Sequence, residues 1–204
     1  MENKDADIIL IQPFDERDQD GIERELKYIS DNTDADFRFI PIKIKKWNSE
    51  LSPWNAPPVF GKDGFGNGAA DTLEKIKELC DDKNRSYYLG GYSLAGLFAL
   101  WAGYKTDLFK GIVAASPSLW FPGFDDYMKD NILHSKAVYL SLGDKEEKTK
   151  NPVMATVGNK VREAYEYYKE QGIDCILEWN QGNHFKDADI RTAKAFTWLL
   201  NRRK

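Results

Sequence analysis

The stretch Gly90-Gly91-Tyr92-Ser93-Leu94-Ala95-Gly96 joins an apolar run, Ser86-Tyr87-Tyr88-Leu89, to a longer one, Leu94–Tyr104, in which Leu97, Leu100 and Trp101 recur at helical spacing. A strand, one serine and then a helix is the setting of a nucleophile elbow. Reversing the chain within one residue strains that residue and leaves room only for small side chains two positions away on either side. Gly91 and Ala95 hold those positions, so the usual G-x-S-x-G reads here as G-x-S-x-A, alanine being the next smallest residue. Such a turn raises the Ser93 hydroxyl above the sheet, beside the positive end of the following helix. The N–H of Leu94 then faces any oxyanion formed by attack of the serine.

Outward from this turn, strands alternate with helices. Five further apolar runs read as strands: Asp7–Gln12, Phe37–Ile44, Gly111–Ser116, Ala137–Leu142 and Cys175–Trp179. Most are continuously apolar, as expected of a parallel sheet covered on both faces. Phe37–Ile44 alternates instead, and Pro41 confines it to an edge or a strand end. Helical stripes are carried by Ile22, Leu26 and Ile29, by Ala69 through Cys80, by Val157 through Tyr168 ending at Gly172, and by Ala188–Arg202. The pattern predicts a three-layer α/β sandwich with right-handed crossovers, in one domain over residues 1–204. One long irregular stretch, Lys45–Asn67, carries Trp47, Trp54, Phe60 and Phe65; a loop of that length more often serves function than idles.

The composition narrows the partners. With 29 Lys+Arg against 33 Asp+Glu the chain has no basic field, which argues against nucleic acid and anionic membranes. Ile8–Ile11 is too short for a signal peptide core or a membrane span, so a soluble, cytoplasmic protein is expected. Cys80 and Cys175 offer neither a disulfide framework nor zinc spacing and read as buried thiols.

A serine hydroxyl needs a general base, and the chain has only His134 and His184. Ligands of open α/β sheets sit at the carboxyl ends of the strands. His134 precedes a strand and belongs to the opposite rim, whereas His184 follows Cys175–Trp179 and shares the rim of Ser93. The acid that orients such a histidine lies between the two in chain order. It is expected in Asp144-Lys145-Glu146-Glu147-Lys148, where Glu146 is the first choice and Glu147 and Asp144 stay open. The second oxyanion donor is expected in Gln12-Pro13-Phe14-Asp15. Pro13 has no N–H, so Phe14 comes first and Asp15 second. The charged run Asp15–Asp18 is given no chemistry.

These residues resemble an α/β-hydrolase, and within that superfamily the esterase family that includes esterase D (S-formylglutathione hydrolase), feruloyl esterases and trilactone siderophore esterases. The resemblance is carried by Gly91 through Leu100, by Ala115-Ser116-Pro117-Ser118-Leu119-Trp120 and by Gly182-Asn183-His184-Phe185. It implies Ser93 as nucleophile, His184 as base and Glu146, three residues after the strand-terminal glycine, as acid. The family's His-Gly-aromatic oxyanion loop reads Gln12-Pro13-Phe14, leaving Phe14 in the donor position. The chain starts at what resembles the third strand of the full fold, which implies six parallel strands in the order 2-1-3-4-5-6. That order reverses between strands 1 and 3, where a ligand crevice is expected.

The implied activity is hydrolysis of a small-molecule carboxylic ester through an acyl-enzyme, without metal or organic cofactor. Acyl transfer to an alcohol, as in the related mycolyl-transferases, and a non-catalytic binding role on the same fold are the alternatives. Trp120 and Trp54 are expected to wall the substrate pocket, with Phe121 and Phe60 beside them.

Overall fold

In a computed structural model that describes residues 5–16 and 19–202, the strands are β1 (Ile8–Phe14), β2 (Arg38–Lys43), β3 (Ser86–Tyr92), β4 (Phe109–Ala115), β5 (Ala137–Gly143) and β6 (Asp174–Asn180). They form one parallel sheet in the order β2-β1-β3-β4-β5-β6, the order expected. Arg17 and Asp18, half of the charged run left without chemistry, lie outside the described residues.

Both faces of the sheet are covered, which explains the unbroken apolar runs. Along β1 the side chains alternate between two cores. Ile9 and Ile11 pack with α3 (Ala69–Glu78), α4 (Leu94–Lys105) and α6 (Val157–Glu170). Ile8 and Leu10 pack with α1 (Gln19–Asp31) and α7 (Ala188–Asn201). Helix α4 is buried on every side from Leu94 to Tyr104, beyond the single stripe read from its spacing, because it is largely apolar all round and carries its first charged side chain at Lys105. Gly172, with φ 74, ends α6 as expected.

Two short helices escaped the periodicity: α2 (Trp47–Glu50) and α5 (Phe124–Asp130), each too brief to display a repeat. β2 is the sheet edge, as Pro41 required. Its side chain sits on a residue whose missing N–H falls on the open side, since Ile44 N–H donates to Phe14 O and residues alternate in the neighbour they bond. The 45–67 stretch is pinned rather than loose. Ala56 and Phe65 form an isolated antiparallel bridge, Leu51 and Phe65 are buried, and the Asn151 side-chain amide donates to Val59 O at 2.6 Å. No described helix is long and apolar enough to cross a membrane.

Candidate active site

Ser93 stands between the end of β3 and the first residue of α4 with φ 59 and ψ −120, a conformation L-residues rarely adopt. The strain is held in place from all sides. Its N–H donates to Ala115 O at 3.0 Å, and its carbonyl accepts from Leu97 N–H and Ser118 N–H, both at 3.1 Å. The turn also explains Gly91, where an added Cβ would lie 2.5 Å from the Ala95 Cβ. Leu94 opens the helix, so its amide lacks an intrahelical acceptor and sits at the positive end of the dipole.

The Ser93 hydroxyl lies 3.0 Å from His184 Nε2, and His184 Nδ1 lies 2.6 Å from Glu146 Oε2. Of the three carboxylates left open by the sequence, Glu146 alone meets the imidazole. Asp144 instead accepts from Gly182 N–H at 2.7 Å, tying the β5 and β6 loops together, and Glu147 pairs with Arg162 at 3.1 Å. Burial would push the Glu146 carboxyl up. Hydrogen bonds from His184, the Ser116 hydroxyl and Gly143 N–H outweigh it and hold the carboxyl below the ordinary carboxylate range. Tyr92 donates its hydroxyl to His184 O at 2.7 Å, and its phenol, pushed up to about 12 chiefly by burial and by Glu146, stays neutral. His134 is exposed just ahead of β5, at the far rim as expected. Burial pushes both cysteine thiols up to about 12, so neither is a thiolate nucleophile near neutral pH.

The expected oxyanion donor Phe14 is corrected by the ladder. β1 runs to Phe14, two residues beyond the end read from the sequence. Ser86 N–H donates to Asp7 O, so odd-numbered residues of β1 bond towards β3; Ile44 N–H donates to Phe14 O, so even-numbered ones bond towards β2. The Phe14 amide therefore points away from Ser93. Within β1 the alternation turns Pro13, which has no N–H, towards β3, and Asp15 is the first residue beyond the strand.

Beside Ser93 and His184 opens a cavity of about 820 Å³, with Phe14, Ile22, Trp47 and Tyr92 among its walls and Phe185, 87% exposed, at its mouth. The expected wall residues Trp54 and Trp120 do not line it. Trp54 donates its indole N–H to Pro122 O and packs on Phe121 and Tyr127. Trp120, 9% exposed, packs on Phe60 and Phe65. Both rings fasten the 45–67 stretch to the β4–α5 segment, and the aromatic that this stretch sends to the cavity is Trp47.

No family model matches the sequence, and no curated protein matches it. Solved structures match it in shape. An IroE-like serine hydrolase from Shewanella oneidensis has a TM-score of 0.77 over 96% of this chain and 71% of that one, at 16% identity. Siderophore hydrolase EstB from Aspergillus nidulans gives 0.72 over 100% and 86%, at 14% identity. The enterobactin esterase FES from Shigella flexneri gives 0.56 at 13% identity, with 94% of this chain covering 52% of that one.

The chain has the α/β-hydrolase fold. In this six-stranded α/β-hydrolase sheet the order reverses between β1 and β3, and the cavity lies there, at the switch point where sheet topology places a ligand crevice. Three contacts around Ser93 and Glu146 were not read from the sequence. Ser118 Oγ lies 3.3 Å from Ser93 Oγ, and Ser116, at φ 44, donates its hydroxyl to Glu146 Oε1 at 2.7 Å. Arg191 also reaches Glu146 Oε1, at 2.8 Å. Its signal was present: Arg191 falls four residues before Ala195 and eight before Leu199, a cation on the apolar stripe of α7.

Proposed function

We propose that the protein hydrolyses carboxylic esters of small molecules through an acyl-enzyme on Ser93, with His184 as general base and acid and Glu146 as its orienting carboxylate. One observation carries the reading: Ser93 Oγ, His184 and Glu146 form a continuous hydrogen-bonded chain of 3.0 and 2.6 Å at the wall of an open cavity. The fold shared with proteins named as serine hydrolases and esterases supports it.

Ser93 Oγ attacks the ester carbonyl carbon as His184 Nε2 takes the hydroxyl proton. The imidazolium is stabilised by Glu146, held ionised by its three donors. The carbonyl oxygen gathers negative charge and is met by the amides of Leu94 and Asp15. Collapse of the tetrahedral intermediate breaks the ester C–O bond, and the alkoxide leaves with the proton from His184. Water then enters, gives a proton to His184 and attacks the acyl carbon; Ser93 departs and recovers its proton from the imidazolium.

A cavity of about 820 Å³ accommodates a small-molecule ester, with Phe14, Ile22 and Trp47 offering apolar surface beside polar Gln12 and Asp15. The neighbours named for siderophore, enterobactin and ferulic acid esters set the range of the test. The purified protein is expected to turn over p-nitrophenyl acetate and butyrate, with higher kcat/KM on one member of a panel of acetylated sugars, feruloyl esters and trilactones. Folded protein that turns over no ester in the panel contradicts the reading.

A further inference from the structure

Arg191 is a charged side chain sealed inside the molecule, 2% exposed, and it has five acceptors. Nη1 donates to Glu146 Oε1 at 2.8 Å, to Tyr92 Oη at 3.1 Å and to Ser116 Oγ at 3.2 Å. Nη2 donates to Asn183 O at 3.0 Å and Gln181 O at 3.4 Å. These acceptors come from the carboxyl ends of β3 and β4 and from the loops after β5 and β6, so one rigid planar group touches four segments behind the Ser93 site.

As a stabilising device this is a poor choice. Desolvating a guanidinium is costly, and its pairing with the buried Glu146 carboxylate has to offset that cost before it can stabilise anything. What the guanidinium does accomplish is geometric. Glu146 Oε1 receives three donors (Ser116, Gly143 N–H and Arg191), which leaves Oε2 to face His184. At the same time Nη2 grips the carbonyls of residues 181 and 183, in the loop that carries His184. The fork thus sets the distance between the carboxylate and the imidazole it supports.

We propose that Arg191 is a positioning residue of the ester-hydrolysis site, whose guanidinium locks the Glu146 carboxylate and the His184 loop to one another so that Nε2 stays on Ser93. The inference rests on the ester-hydrolase reading. Its charge has a second consequence. The titratable groups in contact with Arg191 are Glu146 and Tyr92, with His184 beyond Glu146 and Asp144 on the neighbouring Gly182 amide. A fixed cation beside the Glu146–His184 pair opposes uptake of a proton, so removing it makes the pair hold that proton to higher pH. A lysine keeps the charge, but its single ammonium cannot span Glu146 and Asn183 together.

The test uses the full chain carrying Arg191→Met or Arg191→Lys, with kcat expressed per serine titrated by a fluorophosphonate, so that lost folded protein lowers the titre and not the rate. Arg191→Met is expected to lower kcat per site about 10²-fold with KM little changed, as for a misplacement of roughly 1 Å. The acid limb of its kcat/KM profile is expected to move up by about one pH unit, in the range for loss of a neighbouring charge. Arg191→Lys is expected to keep the wild-type limb and lose about tenfold in kcat per site, an intermediate misplacement on the same scale. Per-site rates within about twofold of wild type and an unmoved limb in Arg191→Met overturn the proposal. If that variant yields no titratable serine, Arg191→Lys decides alone: lower kcat per site supports the proposal and wild-type kcat per site overturns it. A wild-type protein that neither turns over esters nor takes the probe defeats the hydrolase reading itself, a different outcome.

Discussion

Ser93→Ala is expected to lower kcat by about 10⁶-fold, because the nucleophile and its base act as a unit and the loss of one disables the other. Residual turnover would come from the amides of Leu94 and Asp15 holding a carbonyl against ordinary water. Ser118 is not expected to take over: its hydroxyl is 3.3 Å from Ser93 Oγ and lies on the far side from His184 in the chain of bonds. Substitution by glycine should separate chemistry from strain. Ser93 sits at φ 59 and ψ −120, where a side chain costs of order 1–3 kcal/mol and glycine little. Ser93→Gly should therefore be as inactive as Ser93→Ala but unfold at higher urea. Equal stability of the two variants would mean that the turn stores no strain.

Glu146→Gln is expected to lower kcat by about 10⁴-fold with little change in KM. The three donors on Oε1 keep the amide oxygen on their side and direct the amide NH₂ at His184 Nδ1. That nitrogen must then accept, Nε2 carries the proton, and the imidazole can no longer take one from Ser93. Glu147→Gln breaks only a surface pair with Arg162 and is expected to match wild type. The same carboxylate links folding to pH. Its pKa is lower in the folded chain than in the unfolded one, so its contribution to stability is fully present above the ordinary carboxylate range and disappears as pH falls below it. Glu146→Gln should accordingly flatten the acid side of the stability profile, measured as urea midpoints from about pH 6 to pH 3. Activity equal to wild type would assign the carboxylate a structural role alone.

Much of the fold was legible because its signals are local. Unbroken apolar runs marked strands buried on both faces, Pro41 marked the edge, and Gly91 and Ala95 marked the turn that only small residues survive. His184 was separable from His134 by strand direction alone. Other features depend on where the chain travels. Trp54 and Trp120 had the composition of a pocket wall, yet their destination was set by how the 45–67 stretch folds back on the β4–α5 segment. Phe14 failed as an amide donor because β1 extends two residues further than its apolar run, which keeps Phe14 in the ladder with its N–H turned towards β2. Arg191 went unread because its acceptors come from four separate stretches of chain.

The most direct test of the central claim is the mass of the purified protein after treatment with a fluorophosphonate, followed by peptide mapping of the adduct. A single adduct on Ser93, formed rapidly in wild type and much more slowly in His184→Ala, is the predicted result. An unlabelled wild type, or an adduct that forms on Ser93 equally fast without His184, contradicts it.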